Sequence, residues 1–183
     1  MSQTKTKGPR QAMGTMRTNP LGLDEKTAGE IVRLLNADLA SMITLYLQYH
    51  KHHWIVEGAQ FFEIHLLLEA HYTELHDQYD IIAERLVALG GLPVSGPAEV
   101  QKESYITHEE PGMFDLRVML DHDVEAEGLL ARTMREHIVA ANKLGDYATE
   151  SILKTILEAG EKRAAFLQKH LQPESLTRHI PTQ

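Results

Sequence analysis

The sequence predicts an all-α protein built on four long helices, and three observations carry that prediction. Apolar residues recur at three- and four-residue spacing over stretches far longer than a strand. The stretches are separated by helix-breaking residues at Gly58, Gly90-Gly91, Pro93 and Gly145. Nothing in the 183 residues alternates with the two-residue period of a strand.

The first helix is expected from an N-cap at Asp24 to about Ile55, with an apolar stripe of Ile31, Leu34, Leu35, Leu39, Met42, Ile43 and Tyr46. The second runs from about Gln60 to Leu89 on Phe61, Leu68, Tyr72, Leu75, Tyr79, Ile82, Leu86 and Leu89. The third spans about Phe114 to Leu144, with Gly145 as the left-handed residue that closes it. The fourth begins near Asp146, whose carboxylate can cap it, and ends before Pro173. Residues 90–113, rich in Gly and Pro, are too long for a simple turn. A crossover running the length of a bundle explains them, with Pro97-Ala-Glu-Val-Gln-Lys as a short helix of its own. One long crossover between helices two and three is the wiring of a ferritin-like four-helix bundle. The predicted organisation is a flexible basic tail over 1–23, the bundle over 24–172 and a C-terminal tail over 173–183.

Composition narrows the chemistry. The absence of Cys excludes a disulfide scaffold, a zinc-thiolate site, an iron–sulfur cluster and a thiol nucleophile. No apolar run approaches the roughly 18 residues of a membrane span. The first 20 residues hold no signal-peptide core, so a cytoplasmic protein is expected. Lys5, Lys7, Arg10 and Arg17 precede the first acid, Asp24, leaving 14 basic against 26 acidic residues in the remainder. Such a body repels nucleic acid and attracts cations. The tail is expected to be a solvated terminus, the competing reading being a phosphate-binding arm.

Of eleven His, six (His50, His52, His53, His65, His71, His76) fall between residues 50 and 76, among Glu63, Glu69, Glu74, Asp77, Asp80 and Glu84. Imidazole with carboxylate and no sulfur suits iron, manganese or zinc. His65 and Glu69 are spaced i,i+4, as are Asp80 and Glu84, and eleven residues, about three turns, separate Glu69 from Asp80. These side chains therefore share one stripe of the second helix. The ordinary alternative is a solvated polar face, and His50, His52, His71 and His76 are read as surface residues. His53 stands apart, beside the only Trp and at a helix end.

Di-iron four-helix proteins build their centre inside one bundle with Glu-x-x-His motifs. Neither that motif nor His-Glu-x-x-His occurs here, and helices three and four offer no obvious inward ligand set. Either the site is mononuclear and open, or a second copy of the chain completes it across a two-fold interface.

His53-Trp54-Ile-Val-Glu-Gly58, then His65, then Asp80-Ile-Ile-Ala-Glu84-Arg85 with Gly90-Gly91-Leu-Pro93, resembles the Dps family, the DNA-binding proteins from starved cells or miniferritins. The resemblance covers roughly residues 25–172. It implies a hollow dodecamer with ferroxidase centres of two irons each at two-fold interfaces. His53 and His65 would come from one subunit and Asp80 and Glu84 from its partner, with Glu84 as the bridge and Trp54 beside the site. Glu69 departs from the Asp that many members carry, reaching one methylene further toward the second iron. The implied reaction is oxidation of Fe(II), preferably by hydrogen peroxide, followed by storage of ferric mineral. The family's acidic pores near the start of the last helix make Asp146 and Glu150 pore candidates. With four basic residues in the tail, DNA binding is expected to be weak or absent. The alternative is a non-catalytic cage or DNA-coating protein with a structural metal such as zinc.

Overall fold

The structure, a computed structural model, describes residues 8–173. It contains α1 (Glu25–Ile55), α2 (Phe61–Ala88), α3 (Pro97–Glu103), α4 (Leu116–Lys143) and α5 (Tyr147–His170), and no strand among the described residues. α1 pairs with α2 and α4 with α5; the two hairpins join along α1 and α4, and α3 lies on α1 within the long crossover. This is the expected ferritin-like wiring. No helix among the described residues is long and apolar enough to cross a membrane.

Local chemistry sets the ends. Asp24 accepts from the backbone N–H of Thr27 at 2.9 Å and from its hydroxyl at 2.7 Å, capping α1. Asp146 caps α5 in the same way through Thr149. α4 begins two residues later than expected, at Leu116. α4 closes with Gly145 at φ +76°, its N–H bonding Asn142 O while that of Asp146 bonds Ala141 O, a Schellman pair. α2 closes likewise at Gly90, φ +93°, with Gly90 N–H on Val87 O and Gly91 N–H on Leu86 O.

Leu35, Leu39, Met42, Leu45, Leu68, Leu75, Ile82, Leu86, Leu120, Leu130, Leu153 and Leu167 form one continuous core. Removing that apolar surface from water is the main term holding four helices together. Phe61, expected on the buried stripe, is 42% exposed instead. It sits in the first turn of α2, with its ring beside His65.

Residues 8–23, expected as part of a flexible tail, are fastened to the bundle. The Arg17 N–H and the Gln11 side-chain amide both donate to the carbonyl of Gly90 at 2.9 Å. The close approach needs glycine: a Cβ on Gly90 would lie 2.1 Å from Arg17 O. Gly91 admits the packing beneath, since a Cβ there would meet Val32 at 2.5 Å.

Candidate metal centre

The short link 56–60 folds the end of α1 back onto the start of α2. His53 and His65 come face to face, with ring centroids 3.7 Å apart and planes 19° from parallel. His53 Nδ1 lies 2.9 Å from the backbone carbonyl of His65, and His65 Nδ1 lies 2.9 Å from that of His53. A carbonyl only accepts, so both Nδ1 atoms carry hydrogen and both Nε2 atoms present their lone pairs. Such a bond on the far nitrogen is what orients a metal-binding imidazole. Glu69 joins them, and one ligand atom from each of the three lies within 4.8 Å of the others. Both His are half-buried and Glu69 is exposed, so the group opens to solvent.

Asp80 and Glu84 lie further along α2, about 16 Å and about 22 Å from Glu69 by helical rise. Both are exposed. One chain thus assembles three of the five expected ligands and leaves the other two apart. Around them the surface is unusually apolar for exposed residues: Trp54, Phe62, Leu66 and Ile81 all face outward. Trp54 stacks obliquely on His50, ring centroids 4.4 Å apart.

The bundle interior corrects three expectations. His52 and His71, read as surface residues, are buried. α4 does point acids inward, since Asp123 and Glu127 are fully buried. Those acids are taken by protein cations and donors. Arg163 Nε donates to Glu127 Oε1 at 2.5 Å, Tyr49 Oη donates to the same oxygen at 2.8 Å, and Arg163 Nη1 reaches Gln78 and Glu74. His52 Nδ1 meets Asp123 Oδ2 at 2.9 Å, and Gln48 donates to Asp123 Oδ1. On its other side, His52 Nε2 lies 2.8 Å from Glu109 Oε1, within ion-pair range though off the hydrogen-bonding direction. Burial alone would discharge His52, but its bond to Asp123 and the charges of Asp123 and Glu109 outweigh burial and raise its basicity. His71 has no such partner: burial first, then Arg163 and His170, lower it to about 4, and it stays neutral.

The signal for this interior was present in the sequence. His52 continues the spacing of Leu45 and Tyr49, and Asp123 and Glu127 continue that of Leu120 and Leu130, so all three sit in phase with apolar stripes. Asp146 is also inward: Arg85 Nη2 donates to it at 2.6 Å, and with the Thr149 bonds this outweighs burial and lowers its carboxyl. Glu150 is held by Lys154 and by Asn142. Arg10 and Arg17 are exposed, while Lys5 and Lys7 lie outside the described residues.

Residues 32–176 match the ferritin-like domain family. The chain is 38% identical over 166 residues to a nutrient stress-induced DNA-binding protein of Synechococcus sp., covering 91% of this chain and 94% of the relative. It resembles the crystal structure of an archaeal dps-homologue from Halobacterium salinarum at a TM-score of 0.90 and 35% identity, over 94% of this chain and 97% of that one. The Dps protein of Vibrio cholerae O1, described as a member of a broad superfamily of ferritin-like diiron-carboxylate proteins, matches at a TM-score of 0.81 and 27% identity, over 86% and 99% of the two chains.

Proposed function

Because the chain belongs to the Dps family of ferritin-like proteins, we propose that it oxidises Fe(II) at centres shared between two subunits and stores the ferric product inside a hollow homo-oligomer. The reading adds protection against oxidative damage as the purpose of the chemistry, and a dodecamer as the assembly. The observation that supports it best is the incomplete ligand set. His53, His65 and Glu69 converge in one chain, and Asp80 and Glu84 stand exposed on the same helix three turns away. An antiparallel pairing of this face with a copy of itself would bring one subunit's first group to its partner's second group, twice over. The exposed Trp54, Phe62, Leu66 and Ile81 would be covered in the same step.

Fe(II) is the substrate. His53 and His65 bind it through Nε2 without any proton rearrangement, since their Nδ1 hydrogens are already committed. Glu69 supplies an oxygen on the same side. Asp80 of the partner subunit would add a further carboxylate, and Glu84 of the partner subunit would bridge two irons. Each iron gives one electron: two Fe(II), one hydrogen peroxide and two protons yield two Fe(III) and two waters, with no hydroxyl radical released. Placing the two irons side by side is most of the catalysis. Hydrogen peroxide is the preferred oxidant in this reading.

Iron would be admitted past the acids at the start of α5. Asp146 is turned inward by its cap and by Arg85, so Glu150 is the more accessible of the two. DNA contact through Lys5, Lys7, Arg10 and Arg17 is weak or absent in this reading, because the acidic body opposes it. The deciding experiment is an anaerobic titration of the Fe(II)-loaded protein with hydrogen peroxide, repeated in an Asp80→Ala/Glu84→Ala double variant. Rapid oxidation at two irons per peroxide in the first and its loss in the second is the expected result. Oxidation no faster than in buffer would overturn the reading in favour of a structural metal, such as zinc, in a non-catalytic or DNA-coating cage.

A further inference from the structure

Three tyrosines make a continuous aromatic track on the α1–α2 face. Tyr72 meets His53 edge-on, ring centroids 5.2 Å apart. Tyr46, from α1, touches Tyr72 at 5.9 Å and Tyr79 at 5.8 Å, both edge-to-face. Tyr72 thus abuts one ligand group through His53, and Tyr79 directly precedes Asp80 of the other along α2. Trp54 reaches the track through His50, whose ring lies 4.4 Å from Trp54 and 4.3 Å from Tyr72. Packing between the helices would be met by Phe, without bringing three hydroxyls into a half-buried seam. What Tyr adds to Phe is a phenol that gives up one electron and one proton readily.

We propose that Tyr72, Tyr46 and Tyr79 pass single oxidising equivalents between the two metal centres of a subunit pair, so that an iron held alone reacts with peroxide without releasing hydroxyl radical. This rests on the reading that His53, His65 and Glu69 serve one shared centre and Asp80 and Glu84 of the same chain serve the other. The steps balance. A lone Fe(II) gives one electron to hydrogen peroxide, the O–O bond breaks, and Fe(III), hydroxide and a hydroxyl-radical equivalent result. Tyr72 gives that fragment a hydrogen atom, making water and a tyrosyl radical. The vacancy moves to Tyr46 and then Tyr79 by exchange of an electron and a proton between phenols. Fe(II) beside Asp80 fills it, and two protons taken up from the medium complete the sum, one restoring the phenol and the other converting the hydroxide to water. The sum is the same as for paired irons.

The test uses the assembled protein loaded anaerobically with Fe(II) to half its capacity and mixed with hydrogen peroxide and a spin trap. Tyr46→Phe keeps the ring packing and cuts the track at its middle; Tyr79→Phe cuts it at the far end. In the unaltered protein the expected result is two irons oxidised per peroxide, little trapped hydroxyl radical and a short-lived tyrosyl signal in freeze-quenched paramagnetic resonance. In Tyr46→Phe, the tyrosyl signal persists, stranded on Tyr72, and once that phenol is spent each further addition of peroxide raises the trapped radical severalfold, while oxidation at full loading is unchanged. Equal radical yields in all three proteins at half loading would overturn the relay and leave the centre standing. No oxidation by the unaltered protein at full loading would overturn the shared-centre reading, and the relay with it.

Discussion

His53 and His65 hold one another's protons in place: each donates its Nδ1–H to the backbone carbonyl of the other at 2.9 Å, across stacked rings. The arrangement separates two roles in each residue, a latch on one nitrogen and a ligand on the other. Asn places its amide nitrogen where Nδ1 lies and has nothing at Nε2. His65→Asn should therefore keep stability within about 1 kcal/mol, since the hydrogen bond survives, while cobalt(II) or Fe(II) binding at the site is lost. His65→Leu should lose both, with about 1–2 kcal/mol of stability gone. Calorimetric titration with the metal and urea unfolding together check the split.

A shared centre makes a second prediction about mixtures. Subunits carrying His53→Ala/His65→Ala and subunits carrying Asp80→Ala/Glu84→Ala should each be inactive alone. Unfolded together and co-assembled, each mixed pair recreates one intact centre and one empty one. Peroxide-driven iron oxidation should reappear in the mixture, and its continued absence would rule out the inter-subunit site.

The Glu127–Arg163 pair closes the middle of the bundle, with Tyr49 on the same carboxylate oxygen. Burial raises the Glu127 carboxyl, and it is the guanidinium, with Tyr49, that keeps the charge tolerable. Arg163→Met leaves an uncompensated buried acid and should cost about 3–5 kcal/mol. Adding Glu127→Leu should recover most of that loss. A double-mutant cycle by chemical unfolding measures the coupling.

How much of this was legible in the sequence depends on the kind of residue. The helices and their ends were, because Asp24, Gly90, Gly145 and Asp146 are used for the local reasons their chemistry suggests. On α2 the i,i+4 spacing put His65 and Glu69 on one stripe, whereas the pairing of His53 with His65 was implied by the family resemblance; the structure brings all three within reach of one ion. His52 and His71, expected at the surface on their polarity, are buried, and Asp123 and Glu127 are inward acids on a helix expected to offer no inward ligand set. Their burial depends on partners from other helices: Arg163 is 36 residues from Glu127, and Asp123 is 71 from His52. Helical phase alone would have placed them inside; only the folded bundle supplies what neutralises them.

Glu109 sets a limit on acid stability. Burial raises its carboxyl, but hydrogen bonds from Lys51 and His122, with His52 close by, outweigh that and hold it at about 2, below the ordinary 4.5. Between those values the unfolded chain binds a proton that the folded chain does not. The stability Glu109 contributes is thus complete above pH 4.5 and drains away as the pH falls toward 2. Glu109→Gln should lower stability at neutral pH and flatten its decline below about pH 5. Urea midpoints across that range, in both proteins, test it.

The fastening of residues 8–23 predicts the effect of a single methyl. Gly90→Ala forces an L-residue to φ +93° and drives a Cβ into Arg17 O. The strained backbone alone costs about 1–2 kcal/mol, and the arm should come free. Faster trypsin cleavage at Arg10 and Arg17, with α1–α5 still protected in hydrogen exchange, is the expected outcome.

The unbroken run of α2 between Glu69 and Asp80 has a consequence for how this chain can change over time. Both ligand groups hang on one rod, and their relative bearing is fixed by the number of residues between them. Substitutions in 70–79 alter contacts one at a time, but inserting or deleting a single residue there would swing Asp80 and Glu84 by about 100° around the axis, off the face they share with Glu69. The segment is thus far more tightly bound in length than in spelling, whereas the exposed stretch 111–113 of the crossover, which sets no such bearing, is where additions to this chain would be absorbed.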